Sequence, residues 1–243
     1  MRKEITMAGR FGKYGDAKRK AHLRRKGKTG NTMLKIREDR RPRSPKKKKK
    51  DQEGNRMAAK SGIAKNERQK LDRLFGEKGY ADYKWIDPQK IIVAQWVRMK
   101  CMFGCGEYGH SACCPPSVPS VSECERFFHE YQDAVIFRFE KAVDKPEDRH
   151  KWSKKVNIKL AKLERDVFLA GYERAFLLFM DSCGICADCA ATREGCKEPR
   201  SARPSPESMA VDVYSTVRLF GFPIDVRTEY SQEMNRYAFL MIR

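Results

Sequence analysis

Apolar residues fall along the last two thirds of the chain in two periods. Ala134 to Phe139 (AVIFRF), Arg174 to Phe179 (RAFLLF) and Tyr237 to Ile242 are compact apolar runs rich in β-branched and aromatic residues, and they predict buried strands. Lys90 to Val97, with Ile91, Ile92, Val93, Trp96 and Val97, predicts another, and Pro223 to Val226 a fifth. Trp152, Val156, Leu160, Leu163 and Val167 mark an amphipathic helix that ends near Gly171. Cys124, Phe127, Phe128 and Tyr131 share one face of a second helix, opened by a capping box from Ser122 to Glu125. Ala64 to Phe75 predicts a short helix. Ser205 as N-cap and Pro206 at the first helical position predict a last one, with Ala210, Val213, Tyr214 and Val217 on the sheet and Gly221 as its stop. The succession predicts an α/β or α+β domain, a single sheet of about five strands with helices packed on it.

Charge divides the chain differently. Residues 1–75 hold 27 Lys+Arg against 8 Asp+Glu, and the rest hold 25 against 24, so nearly all of the formal net charge of +20 belongs to the N-terminal third. Residues 1–62 read as a basic, largely disordered arm, too poor in large apolar residues to offset the entropy of ordering. Residues 63–243 read as the folded domain, long enough for a single core. The run Arg41-Pro42-Arg43-Ser44-Pro45 followed by Lys46 to Lys50 suits phosphate backbones, so residues 1–60 predict RNA binding without sequence preference. A solvated tail is the competing reading. No membrane-length apolar run and no signal-type apolar region stands in the sequence, which predicts no membrane association and a reducing cytoplasm.

In that setting nine cysteines point to metal more than to disulfides. Cys183-x2-Cys186-x2-Cys189, followed by Cys196 and Pro199, puts four thiolates on one short stretch. That is close to the C-x2-C-x2-C-x3-C-P run that wraps a [4Fe-4S] cluster, with a longer loop before the last cysteine. Zinc modules place thiols in two separated pairs, because a tetrahedral ion is gripped from two sides. A second group is Cys101-x3-Cys105 with Cys113-Cys114-Pro115-Pro116, among glycines at 104, 106 and 109 that permit a tight loop. Its expected ligands are Cys101, Cys105 and Cys114, with Cys113 as a substitute. Both groups are expected where a strand stops, so the two loops are expected at strand ends. Cys124, on its helix face, reads as a core residue, His110 as a surface loop residue, and Tyr108 as packing beneath the loop.

Trp96-Val97-Arg98-x-Lys100-Cys101-x3-Cys105-x2-Tyr108-Gly109, the Cys114-Pro115-Pro116 turn, Cys183-x2-Cys186-x2-Cys189 and Arg203-Pro204-Ser205 together resemble the prokaryotic cysteine-rich family of predicted metal-binding proteins, domain of unknown function 2284. The resemblance spans about residues 85 to 243 and implies a cytoplasmic metal protein without an assigned reaction. Cys124 and the basic arm lie outside its pattern.

Two functions of different class follow. One is an iron-sulfur protein with a [4Fe-4S] cluster at Cys183, Cys186, Cys189 and Cys196 and a second at Cys101, Cys105 and Cys114, exchanging electrons with a redox partner protein. The other is a structural zinc module associated with RNA through the arm. A thiol protein whose cysteines pair under oxidation is a third, blander reading. Catalytic residues remain unassigned: there is no Walker-type phosphate loop, no C-x3-C-x2-C signature and no Ser/His/Asp set.

Overall fold

The computed structural model describes residues 62–243 with the exception of Tyr230; the basic arm expected at 1–62, but for its last residue, lies outside the described residues. The framework is one antiparallel sheet in the order β1, β2, β4, β3, comprising Tyr83–Ile86, Ala134–Lys141, Met234–Met241 and Phe176–Leu178. β2 and β4 pair along their whole length, from Ala134 opposite Met241 to Lys141 opposite Met234, and form the centre. Side-chain alternation sorts their apolar runs onto two faces. Val135, Phe137, Leu177, Ala238 and Leu240 pack against α1 (Lys65–Glu77) and α4 (Pro146–Leu169), through Leu71 and Phe75 of the first and Leu160, Leu163 and Val167 of the second. Ala134, Ile136, Leu178, Phe239 and Met241 face Cys124 and Phe128 of α3 (Val121–His129) and Val213 and Val217 of α5 (Val213–Leu219). Because both faces are covered, the central strands read as unbroken apolar runs.

The sheet has four strands, not five, and the expected strand at Lys90 to Val97 does not form. Asp87 caps a single 3₁₀ turn at Pro88–Lys90, Val93 makes one isolated bridge to Val211, and α2 (Gln95–Gly104) starts at once. The β-branched run is three residues long and is followed by residues that favour helix, so the helix takes over. Cys101 consequently lies in a helix, and only Cys183 follows a strand. The edge beside β2 is filled instead by β1, whose Tyr83 and Trp85 both donate to Asp72 of α1, at 2.7 and 2.9 Å.

Two further expectations shift. The capping box of α3 is Ser120 with Glu123, two residues early: Ser120 N donates to Glu123 Oε2 at 2.8 Å and Glu123 N donates back to Ser120 Oγ. Overlapping S-x-x-E pairs stand here, and the earlier one starts the helix. Ser205 does cap a turn, with Ser208 N donating to its Oγ at 3.2 Å, but Ala210 sits at φ 60° and ends it. Ala94 N then donates to Ala210 O and Asp212 N to Ile92 O, and Asp212 opens α5 by accepting from Ser215 N. The tie to Ile92 and Ala94 outweighs continuous helix. Pro223 to Val226 is an extended loop without strand partners, its Ile224 buried on the α3/α5 face.

Candidate metal centre

Seven of the nine cysteines lie on two long loops, 105–119 and 179–212, Cys101 stands just before the first of them in α2, and all nine are free thiols. The second loop leaves β3 and is held by α4. Ser153 donates to Asp181, Asn157 Nδ2 to Ser182 O at 3.3 Å, and Glu164 grips Arg203 with both oxygens at 2.8 Å while accepting from Leu177 N at 3.0 Å. Gly184, at φ 57°, reverses the chain after Cys183 so that the Ile185 amide turns back onto the Cys183 sulfur. The first loop is closed by Gly109, at φ 77°, donating to Pro115 O at 3.0 Å. The loops are joined directly: Ala112 N donates to Cys189 Sγ at 3.3 Å and Ser117 Oγ to Ala191 O at 3.1 Å.

The thiols fall into two sets, and the boundary passes between Cys113 and Cys114. Cys113 bonds with Cys183 and lies near Cys196, while Cys186 neighbours Cys196, Cys183 and Cys189. Cys114 instead lies with Cys101 and Cys105, and its sulfur accepts from Ser208 Oγ at 3.6 Å. Adjacent residues therefore serve different sets. Placing Cys113 in the first set differs from the sequence expectation, in which it substituted within the second, and no spacing rule reveals it. Cys124 is fully buried with Phe128 and touches neither set, its thiol facing Pro119 O and Met209 Sδ. His110 is exposed and Tyr108 half-buried.

Electrostatics differ between the sets. The Cys183 thiol is pulled down to about 6, chiefly because Cys113 donates to it, with help from the amides of Ile185 and Arg203 and the charge of Arg193. The Cys113 thiol is pushed up for the reciprocal reason and by burial, although Arg193 Nη1 lies 3.6 Å from its sulfur. Cys113 is therefore the proton-bearing partner and Cys183 the thiolate. In the second set burial raises Cys101 and Cys114. A donor set made of thiols, with amides aimed at the sulfurs, suits soft metals and iron-sulfur clusters rather than calcium or magnesium. Among the described residues no three His, Cys, Asp or Glu side chains close into a ready coordination shell, so the sulfurs are neighbours rather than a finished cage.

An α+β domain that gathers eight thiols, seven on two interlocked loops and one at the end of α2, has the makings of a metal-binding protein. The chain belongs to the family described as predicted metal-binding proteins (DUF2284), whose profile matches residues 84–242. No curated protein and no solved structure matches it. Among the described residues no helix is long and apolar enough to cross a membrane.

Proposed function

We propose that the chain is an iron-sulfur protein with two neighbouring centres, working in a reducing cytoplasm with a redox partner protein. Cys183, Cys186, Cys189 and Cys196 would hold a [4Fe-4S] cluster, and Cys101, Cys105 and Cys114 a second with three protein ligands. Such clusters store and pass single electrons. The observation that carries this reading is the sorting of the thiols into two sets whose boundary is a single peptide bond.

The chain's own residues then have definite tasks. Cys183 is kept as a thiolate, the form that ligates metal. Cys113 donates to that sulfur and acts as a hydrogen-bonding neighbour of the first centre. Cys114 belongs to the second set, so Cys114, the peptide unit and the Cys113–Cys183 hydrogen bond make an unbroken path between the centres. Glu164 fixes Arg203, and Arg203 fixes the loop beside Cys183.

Anaerobic purification tests the reading. The expected result is a coloured protein that dithionite bleaches, with iron and acid-labile sulfide in equal amounts. A colourless protein carrying zinc would replace it with a structural zinc module.

A further inference from the structure

A cavity of about 290 Å³ opens beside the second thiol set, with Cys101 and Cys105 in its wall. At roughly 30 Å³ per water it would hold about ten waters, the space of a small metabolite. Val97, Val213 and Ile224 give it an apolar floor, and the rings of Trp96 and Tyr214, 47% and 36% exposed, stand open for a ligand to cover. Small pockets of this kind, mostly apolar with a few placed polar groups, are the usual form of a metabolite site.

The polar groups narrow the chemistry. Four charged residues line the cavity, and two of them are engaged elsewhere. Asp212 caps α5, and Arg236 Nε faces Asp181 Oδ1 at 3.6 Å. The other two are Lys100, whose ammonium lies 5.1 Å from the centre of the Trp96 ring, and Glu207, which burial pushes toward its acid form while the Ser205 hydroxyl and the charge of Arg236 work the other way. Neither forms an ion pair with any described residue. One cation and one carboxyl group that no salt bridge engages, above an apolar floor, complement a molecule that carries both charges on an apolar body, its ammonium drawing the Glu207 carboxyl to its ionised form.

We propose that this cavity binds a small apolar amino acid, its carboxylate toward Lys100 and its ammonium toward Glu207, and presents it to the Cys101 and Cys105 side of the second centre. The role as a substrate chamber rests on the iron-sulfur reading; the binding itself does not. A molecule with only one of the two charges would leave Lys100 or Glu207 without its counter-charge in the covered site, which disfavours it.

Calorimetric titration of the anaerobically purified full chain with L-phenylalanine, 3-phenylpropionate and 2-phenylethylamine separates the outcomes, with iron measured on the same sample. The expected result is binding of L-phenylalanine with quenching of tryptophan fluorescence, about tenfold tighter than either single-charge analogue. Lys100→Gln and Glu207→Gln are each expected to weaken it about tenfold. Equal affinity for an analogue, unchanged affinity in both variants, or no binding of any probe overturns the proposal. Binding by iron-free protein would leave the cavity assigned and remove only the iron-sulfur reading. Iron-loaded protein that binds none of the probes would do the reverse.

Discussion

Cys113 and Cys183 hydrogen-bond to each other across two loops, with Cys113 holding the proton and Cys183 the negative charge. Hydrogen bonds to a ligating sulfur stabilise the reduced, more negative state of a cluster and so raise its potential. On the proposed iron-sulfur reading, Cys113→Ala is expected to keep the iron of the first centre and lower its reduction potential. Losing about 1 kcal/mol of hydrogen bond corresponds to roughly 40 mV for one electron. Spectroelectrochemical titration reads the shift, and loss of the cluster would show that Cys113 is itself a ligand.

In metal-free protein the same pair sets a pH profile. Cys183, lowered from the ordinary 9.0 to about 6, contributes stability that is complete above pH 9 and is lost as pH falls through 6. Cys113, raised above 9.0, contributes stability that is complete below pH 9 and declines at higher pH. Urea midpoints are expected to climb from about pH 6 to 9 and fall beyond. Alkylation of Cys183 by iodoacetamide should titrate near 6, and Cys113→Ala should move that midpoint upward. An alkylation midpoint near 9 in the unsubstituted protein would contradict the assignment.

Glu164 is 6% exposed, and it joins α4 to Arg203 and to the backbone of β3. Glu164→Gln leaves the Arg203 charge partly uncompensated at a site that is largely out of water. The expected cost is about 2–4 kcal/mol in urea unfolding, since breaking one side of a buried pair is costly. The loop carrying Cys183 loses its brace at the same time, so the variant should also release metal faster to a chelator. Destabilisation without faster release would confine Glu164 to the core.

Cys124 provides the contrasting case. Its burial against Phe128 and Met209, away from both thiol sets, makes it a small packing residue. Cys124→Ser is expected to cost about 1–3 kcal/mol through burial of a hydroxyl, with metal content unchanged. Loss of metal together with normal stability would reverse that assignment.

For the N-terminal third the expected behaviour is RNA binding that weakens steeply with salt, ignores sequence and disappears when the chain is started at Met57, because 27 Lys+Arg within residues 1–75 favour counterion release. Filter binding of full-length and shortened protein at two salt concentrations measures it. Equal affinities would leave the charge without a role in RNA binding.

Elements buried on both sides were the most legible in the sequence. β2, β4 and α4 carry long, consistent apolar patterns, and neither face of β2 or β4 competes for water. Local pattern failed where tertiary contacts decided. Ile91, Ile92 and Val93 have strand propensity, yet β1 already occupies the edge beside β2, so the run is left with one bridge. The last helix breaks at Ala210 because its carbonyl accepts from Ala94, a partner more than a hundred residues earlier. At the centre, spacing alone proposes Cys183, Cys186, Cys189 and Cys196 as one group. The parting of Cys113 from Cys114 did not follow from it, because it depends on the folded path of the loop that Ser111 and the Gly109–Pro115 bond close around them.

That parting constrains how the protein can be built. Sulfurs carried by consecutive residues cannot be positioned independently, so metal captured by one set would settle the backbone from which the other set's sulfur projects. On the proposed two-centre reading, filling would then be an ordered process in which the first occupant prepares the second seat. A residue inserted between 113 and 114 would uncouple the two seats while leaving every thiol in the chain.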